Sequence, residues 1–264
     1  MGNSLKHNNK ICVVITWFGS YPEFFPLWYK TAIKNKDIDF LIIGPERFPT
    51  FDENGKNIIY HKMSETEICE RISKLGIDFK FDHYKLCDAR PMYGKIFSDL
   101  LSFYDFWGFG DLDVLYGNIT KQISKEMFEK FDVIATGSWD VVSGPLCFFR
   151  NSDKVNNLYK KIDKKLFEDK VYRGIDEEIL ANVIKKENIK YDFSCKEQKR
   201  PAWWKSDGNL YKGRHKSNSV LFHFGGGKQQ KFRHNVIDSI NKLDIELSKI
   251  NSINFSKQLS VRIY

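Results

Sequence analysis

No apolar run in the sequence approaches the roughly 20 residues that a membrane-spanning helix needs, which argues against an integral helical membrane protein. The first ten residues have no apolar core of the secretory kind, and Lys6 stands where a myristoylation pattern requires Ser or Thr. A cytoplasmic protein is therefore expected. Cysteine is scarce and scattered: Cys12, Cys69, Cys87, Cys147 and Cys195 form no close pair and are odd in number. That speaks against a zinc site and against a disulfide framework, and the five read as small core residues. There is no internal repeat and no low-complexity linker.

What is present can build a sizeable core. With 42% apolar and 15% aromatic residues over 264 positions, the composition is that of one large globular domain or two closely packed halves. Charge is uneven. The net charge is +8 and the pI about 9.0, yet residues 199–264 hold thirteen Lys and Arg against four Asp and Glu, a local +9. The remainder is close to neutral. A basic end of this kind fits phosphate-bearing ligands or an anionic membrane surface. No nucleic-acid-binding motif accompanies it, so nucleic acid is not an expected partner.

The stretch Phe103-Tyr-Asp-Phe-Trp-Gly-Phe-Gly-Asp111-Leu112-Asp113-Val-Leu-Tyr-Gly117 stands out. Read as a buried strand, it sends Asp111 and Asp113 to one side and Leu112 into the core, because strand side chains alternate. Neighbouring carboxylates repel, and burying them unpaired is costly. A divalent cation removes both problems, and hard oxygen ligands suit magnesium or manganese. Gly110 and Gly117 are expected to let a ligand approach the backbone. The plainer reading, two solvated aspartates at a strand end, sits poorly with so apolar a run.

In chain order, Ile11–Thr16 reads as a fully buried first strand of a parallel sheet. It runs into Trp17-Phe18-Gly19-Ser20 and a helix through Trp28 to Asn35. Phe40–Gly44 and Ile58–Tyr60 are further strands, and Ser64 with Glu67 predicts a capping box opening a helix to about Leu75. This rhythm predicts an α/β fold, in which ligands bind beyond the carboxyl ends of the strands. Arg90, before Pro91, is expected near a helix start, where anions are favoured. Val133–Gly137 and Leu146–Phe149 read as strands, 152–167 as a charged helix, and Gly174-Ile-Asp176-Glu177-Glu178 as a helix opening with acidic dipole partners. Lys199–Lys205, with Trp203 and Trp204, reads as an exposed amphipathic loop, and adjacent exposed tryptophans point to a ligand, membrane or partner. Val220–Phe224 is a last strand, and Gly225-Gly226-Gly227-Lys228 after His223 has phosphate-binding chemistry. The final 30 residues read as a helix and basic tail.

These residues carry a family likeness. Gly110-Asp111-Leu112-Asp113-Val114 resembles the Asp-x-Asp motif of nucleotide-sugar-dependent glycosyltransferases of the GT-A fold. His223-Phe-Gly-Gly-Gly-Lys228 resembles the His-x-x-Gly…Lys motif of the family-8 type, that of glycogenin and the lipopolysaccharide galactosyltransferases. It departs from that motif in lacking Pro-Trp after Lys228 and in its tighter glycine-to-lysine spacing. Ser143-Gly144 stands where those enzymes carry a sugar-binding turn, and Asp176-Glu177 where they carry an acidic sugar-contacting pair. The run Lys85–Asn118 is similar to glycosyltransferase-like proteins of bacterial surface-polysaccharide gene clusters. The likeness extends to about Lys231.

The resemblance implies a GT-A, Rossmann-like domain with a mostly parallel central sheet flanked by helices. It would span residues 1–234, with a nucleotide-binding half at 10–120, a sugar- and acceptor-binding half at 121–234, and a helical basic tail at 235–264. It implies a nucleotide-diphosphate sugar donor, a UDP-sugar, with Thr16, Trp17 and Phe18 around the base. Asp111, Asp113 and His223 would hold Mn²⁺ or Mg²⁺, and an imidazole ligand tilts the choice to manganese. Leu112, Ser143, Gly144, Gly226 and Lys228 would line the donor site, and Arg90 and Lys228 would stabilise growing charge. Asp176, Glu177 or Asp140 would orient donor hydroxyls. Retention of configuration and a saccharide or lipid-linked acceptor, in capsule or lipopolysaccharide synthesis, are implied as well. An inverting enzyme would instead use one of these carboxylates as general base. Three other readings compete with this one. A phosphatase with an Asp-x-Asp nucleophile is disfavoured by the motif's late position and by Leu115. A sugar-phosphate nucleotidyltransferase is disfavoured by Trp17–Pro22, which is no glycine-rich Arg-Lys loop. A non-catalytic carbohydrate- or membrane-binding relative is distinguished by assay.

Overall fold

A strand apolar at all but its last residue needs cover on both faces, and β1 (Ile11–Thr16) has it. Ile11, Val13 and Ile15 join Phe25, Trp28, Phe40 and Ile42 in one core, while Cys12 and Val14 join Leu41, Ile43, Ile68 and Ile72 in the other. α1 (Phe25–Ala32) covers the first face and α2 (Glu65–Ser73) the second. α2 begins at the expected box: Ser64 Oγ accepts from the Glu67 amide at 3.2 Å, and the Glu67 carboxylate accepts from the Ser64 amide at 2.7 Å. The structure, a computed structural model, describes residues 9–22, 24–51, 55–136, 142, 144–197, 202–212, 215–223, 250–255 and 259–263.

The central sheet adds β2 (Ile38–Gly44), β3 (Ile58–Lys62), β4 (Phe106–Gly110), β5 (Val114–Tyr116), β6 (Val133–Thr136), β7 (Leu146–Arg150) and β8 (Tyr191–Glu197). A smaller sheet takes β9 (Ala202–Lys205), β10 (Leu210–Lys212) and β11 (His215–Lys216), and β12 (Ser219–His223) returns to the central one. The central order is β3-β2-β1-β4-β7-β6-β8-β12-β5. Five of its eight neighbouring pairs are parallel, so the sheet is mostly parallel as expected. The antiparallel pairs are β4–β7, β7–β6 and β12–β5. The last of these decides the site. It sets His223 opposite Val114, so a residue from late in the chain arrives beside the acidic stretch.

Several expectations change. The acidic stretch is not continuous strand: β4 ends at Gly110, and Asp111–Asp113 form the turn into β5. Leu112 still points inward, 2% exposed, as alternation requires. Gly110 and Gly117 make room for the protein itself, since a Cβ would lie 2.8 Å from the Tyr116 hydroxyl and 3.1 Å from the Ser219 carbonyl respectively. The helix expected at 152–167 is three short pieces, Asp153–Asn156, Leu158–Lys161 and Lys164–Glu168. The loop with two exposed tryptophans is a strand from Ala202 onward, and Trp204 is completely buried in the first core. In the basic tail, the described residues are strands and not helix: β13 (Ile250–Phe255) pairs with β9 and with β14 (Leu259–Ile263). A tail read by composition alone could not reveal a partner some 50 residues upstream.

Candidate active site

The carboxyl ends of β1, β4 and β12 converge on a cleft of about 760 Å³. Thr16, Trp17, Phe18, Arg90, Asp111, Leu112, Asp113, Gly144, Asp176, Glu177 and His223 all line it. One ligand atom from each of Asp111, Asp113 and His223 lies within 4.8 Å of the other two. His223 Nε2 is 3.4 Å from Asp113 Oδ1, and the three side chains are 22–28% exposed. Two carboxylates and an imidazole at that spacing, half open to the cleft, are a donor set for a hard or borderline divalent cation. Asp140, Ser143, Gly226 and Lys228 lie outside the described residues.

Arg90 is the electrostatic centre of the cleft. It belongs to a 3₁₀ segment, Lys85–Met92, just ahead of the short helix Tyr93–Ile96. Its guanidinium donates to Asp111 Oδ1, to Asp176 Oδ2 at 2.8 Å and to the Gly144 carbonyl at 3.4 Å, and it lies 5.3 Å from the centre of the Phe109 ring. A planar fork can bridge two carboxylates in this way. The arginine expected to meet a ligand's charge is shared between two of the candidate acids, a pairing across 21 and 86 positions that local pattern does not reveal. An ionised carboxylate accepts at both oxygens, so a bond from Arg90 to Oδ1 does not use up Asp111. Burial pushes the Asp111 carboxyl up, against the pull of Arg90 and His223. Gly144 is bare for a reason: a Cβ there would lie 3.1 Å from Arg90 Nη1 and 3.6 Å from both the Asp176 and Glu177 carboxylates.

The two expected sugar-contacting acids differ. Glu177 is exposed on the cleft wall, whereas Asp176 is 1% exposed and also accepts from the Tyr172 hydroxyl at 3.3 Å. Burial pushes the Asp176 carboxyl up to about 6, although Arg90 pulls it down. An acid whose pKa is higher folded than unfolded adds stability that is full below the unfolded value, near 4, and is lost as pH rises through 6. Two pH units are worth about 3 kcal/mol. Relative to Asp176→Asn, the wild type is expected to lose roughly that much unfolding free energy between about pH 4 and pH 7 in urea titrations. A difference that stays constant with pH contradicts this.

At the end of β1, Thr16 Oγ1 is 2.7 Å from the Tyr93 hydroxyl, and the Trp17 indole donates to the Ser20 carbonyl at 3.1 Å. Trp17 packs on the first core, while Phe18, 6% exposed, belongs to the second and meets Phe81 edge-on. The pair thus divides between the two faces of the sheet.

A buried ion pair beneath the site escaped sequence reasoning. Lys85 and Asp88 are both fully buried and 2.8 Å apart. Asp88 also accepts from the amides of Arg173 and Ile175, each at 2.8 Å, and Lys85 donates to the Leu166 carbonyl at 2.7 Å. The carboxylate therefore clasps Gly174, whose φ of +65° suits glycine. It thereby fixes the start of the π-helical turn Ile175–Ile179 that carries Asp176. The three-residue spacing of Lys85 and Asp88 was visible in the sequence, but their further partners lie more than 80 positions away. Asp88→Leu is expected to cost about 3–5 kcal/mol in urea denaturation, because it strands the ammonium. Adding Lys85→Met should recover part, leaving the cost of two unpaired amides. Equal losses in single and double variants would contradict this.

Fold and site together define an α/β domain with two aspartates and a histidine gathered at the carboxyl ends of its strands. The chain belongs to the family described as "Family of unknown function (DUF6625)", whose model matches residues 13–256. No curated protein matches the sequence. Among solved structures it is similar to a glycosyltransferase involved in the glycosylation of the major capsid of PBCV-1, at 10% identity and TM-score 0.48, covering 87% of this chain and 98% of that one. It is also similar to an active-site mutant of LgtC (12%, TM-score 0.46, 82% and 88%). A third is the glycosyltransferase GlyE of Streptococcus pneumoniae TIGR4 (13%, TM-score 0.40, 70% and 45%).

Proposed function

We propose that the protein is a metal-dependent glycosyltransferase that moves a sugar from a nucleotide diphosphate to a saccharide acceptor. The observation that carries this reading is the convergence of Asp111, Asp113 and His223 within 4.8 Å at the mouth of a cleft large enough for a nucleotide sugar. The motif resemblance of Asp111-Leu112-Asp113 and of His223 supports the same chemistry. Asp111, Asp113 and His223 would hold Mn²⁺ or Mg²⁺. Such a cation supplies Lewis-acid stabilisation to a departing diphosphate.

The chain's own residues do the rest. Arg90 bridges Asp111 and Asp176 and fixes their positions at the cleft, so the site is arranged before any ligand arrives. Trp17 and Thr16 form the wall for the base, and Gly144 gives the donor sugar close access to Asp176 and Glu177. These carboxylates accept from donor hydroxyls. A UDP-sugar donor and retention of configuration follow from the family-8 likeness, with a leaving-group oxygen taking the acceptor's proton. A lipid-linked acceptor in surface-polysaccharide synthesis follows from the likeness of Lys85–Asn118. No helix among the described residues is long and apolar enough to cross a membrane. Attachment of a cytoplasmic enzyme to an anionic bilayer would rest on the basic residues of 199–264, without Trp204, which is in the core.

The test is a panel of nucleotide sugars with and without manganese, read first by thermal shift and then by nucleotide release. A donor bound well below its working concentration raises apparent stability by a few kcal/mol. The expected result is a metal-dependent shift and nucleotide release for one or a few donors. No shift and no release with any donor would remove the reading and favour a non-catalytic carbohydrate binder.

A further inference from the structure

Tyr84 is 66% exposed, and with Phe103 and Val171 it makes up the large apolar side chains that stand far out among the described residues. It is not loose. Its ring centre lies 4.5 Å from that of Tyr172 at an interplanar angle of 59°, and both rings line the cleft. Tyr172 is fixed in turn by its hydroxyl on Asp176. An aromatic surface is thus held open to solvent against the buried acid, and Glu177 stands exposed on the same cleft wall. Aromatic side chains that line a cleft beside convergent polar groups are the usual wall of a ligand site. The ligand that matches this wall has an apolar face and a rim of hydroxyl donors. A sugar ring has both: its C–H face covers an aromatic ring, and its hydroxyls donate to carboxylates. The donor's diphosphate, by contrast, calls for the cationic and metal-holding groups around Arg90 and Asp113.

We propose that Tyr84 and Tyr172, with Glu177, form the acceptor subsite and that it takes a saccharide ring stacked on Tyr84. This rests on the glycosyl-transfer reading and adds the acceptor's place to it. Tyr84 joins the 3₁₀ segment of Arg90 to the turn of Asp176, so an acceptor seated there lies beside the acids proposed to hold the donor sugar.

The test uses the full chain and compares wild type, Tyr84→Ala and Tyr84→Trp. Lactose, maltose, cellobiose and methyl glycosides serve as probes in saturation-transfer NMR. Where a donor is turned over, the ratio of transfer to donor hydrolysis is read as well. Wild type and Tyr84→Trp are expected to contact the sugar C–H protons. Tyr84→Ala is expected to weaken saccharide binding and lower the transfer-to-hydrolysis ratio about tenfold, with acceptor KM moving more than donor KM. A merely structural tyrosine would not be replaced by tryptophan with that selectivity kept. No saccharide contact in wild type, equal saccharide binding by Tyr84→Ala, or weakened binding of UMP in its place would overturn the proposal. Saccharide binding through Tyr84 with no turnover of any nucleotide sugar would keep the subsite and remove the transferase reading. Turnover with an unchanged acceptor KM in Tyr84→Ala would do the reverse.

Discussion

Asp113→Ala is expected to lower manganese-supported turnover of a nucleotide sugar by at least about 100-fold. Replacing groups that only orient a metal's ligands typically costs 10–100-fold, and Asp113 is proposed as a ligand itself. The residue sits in the turn between β4 and β5, partly buried and 3.4 Å from His223. Its loss also relieves repulsion with Asp111, so the fold should survive it. Steady-state kinetics over a range of manganese concentrations, with urea denaturation alongside, separates the two. Turnover near the wild-type level, equally insensitive to chelator, contradicts the prediction. A fall in activity matched by a collapse in stability would also contradict it, since the effect would then be structural.

The second large effect is expected at Arg90. Its guanidinium, 11% exposed, stands between Asp111 and Asp176. Arg90→Met leaves two mostly buried carboxylates facing each other with no cation between them. Breaking a buried pair by removing one partner costs about 3–5 kcal/mol, and that loss is expected in urea titration near neutral pH. Arg90→Lys should recover little, because one ammonium on a flexible stem cannot bridge two acids as a planar fork does. The loss in Arg90→Met should shrink when Asp176→Leu is added, since the second variant removes one stranded charge. A cost below about 1 kcal/mol for Arg90→Met would mean that the site is far wetter than its burial indicates.

What could be read from the sequence was what local chemistry decides. β1 and the Phe40–Gly44 part of β2 were legible as apolar runs, and the Ser64–Glu67 box as a fixed spacing. The candidate acids were legible because Asp-x-Asp in an apolar run is expensive without a partner. Their conformation was not, since a turn at Asp111–Asp113 is fixed by β5 pairing with β12 and not by the residues themselves. Pairing in the smaller sheet explains two misreadings. Trp204 looked exposed beside lysines and an arginine, but β9 is flanked by β10 and β13 and buries it. The tail looked helical, but Ile250–Phe255 finds β9. Asp88 shows the limit most sharply: nothing near it in the sequence announces that it holds the amides at 173 and 175.

β12 brings His223 to Asp111 and Asp113, and the three are proposed to share one cation. Crystals grown with manganese chloride and measured at the manganese absorption edge test this most directly. One anomalous peak about 2.0–2.6 Å from side-chain atoms of Asp111, Asp113 and His223 is the predicted result. A peak elsewhere, or none in the cleft at saturating manganese, would contradict it.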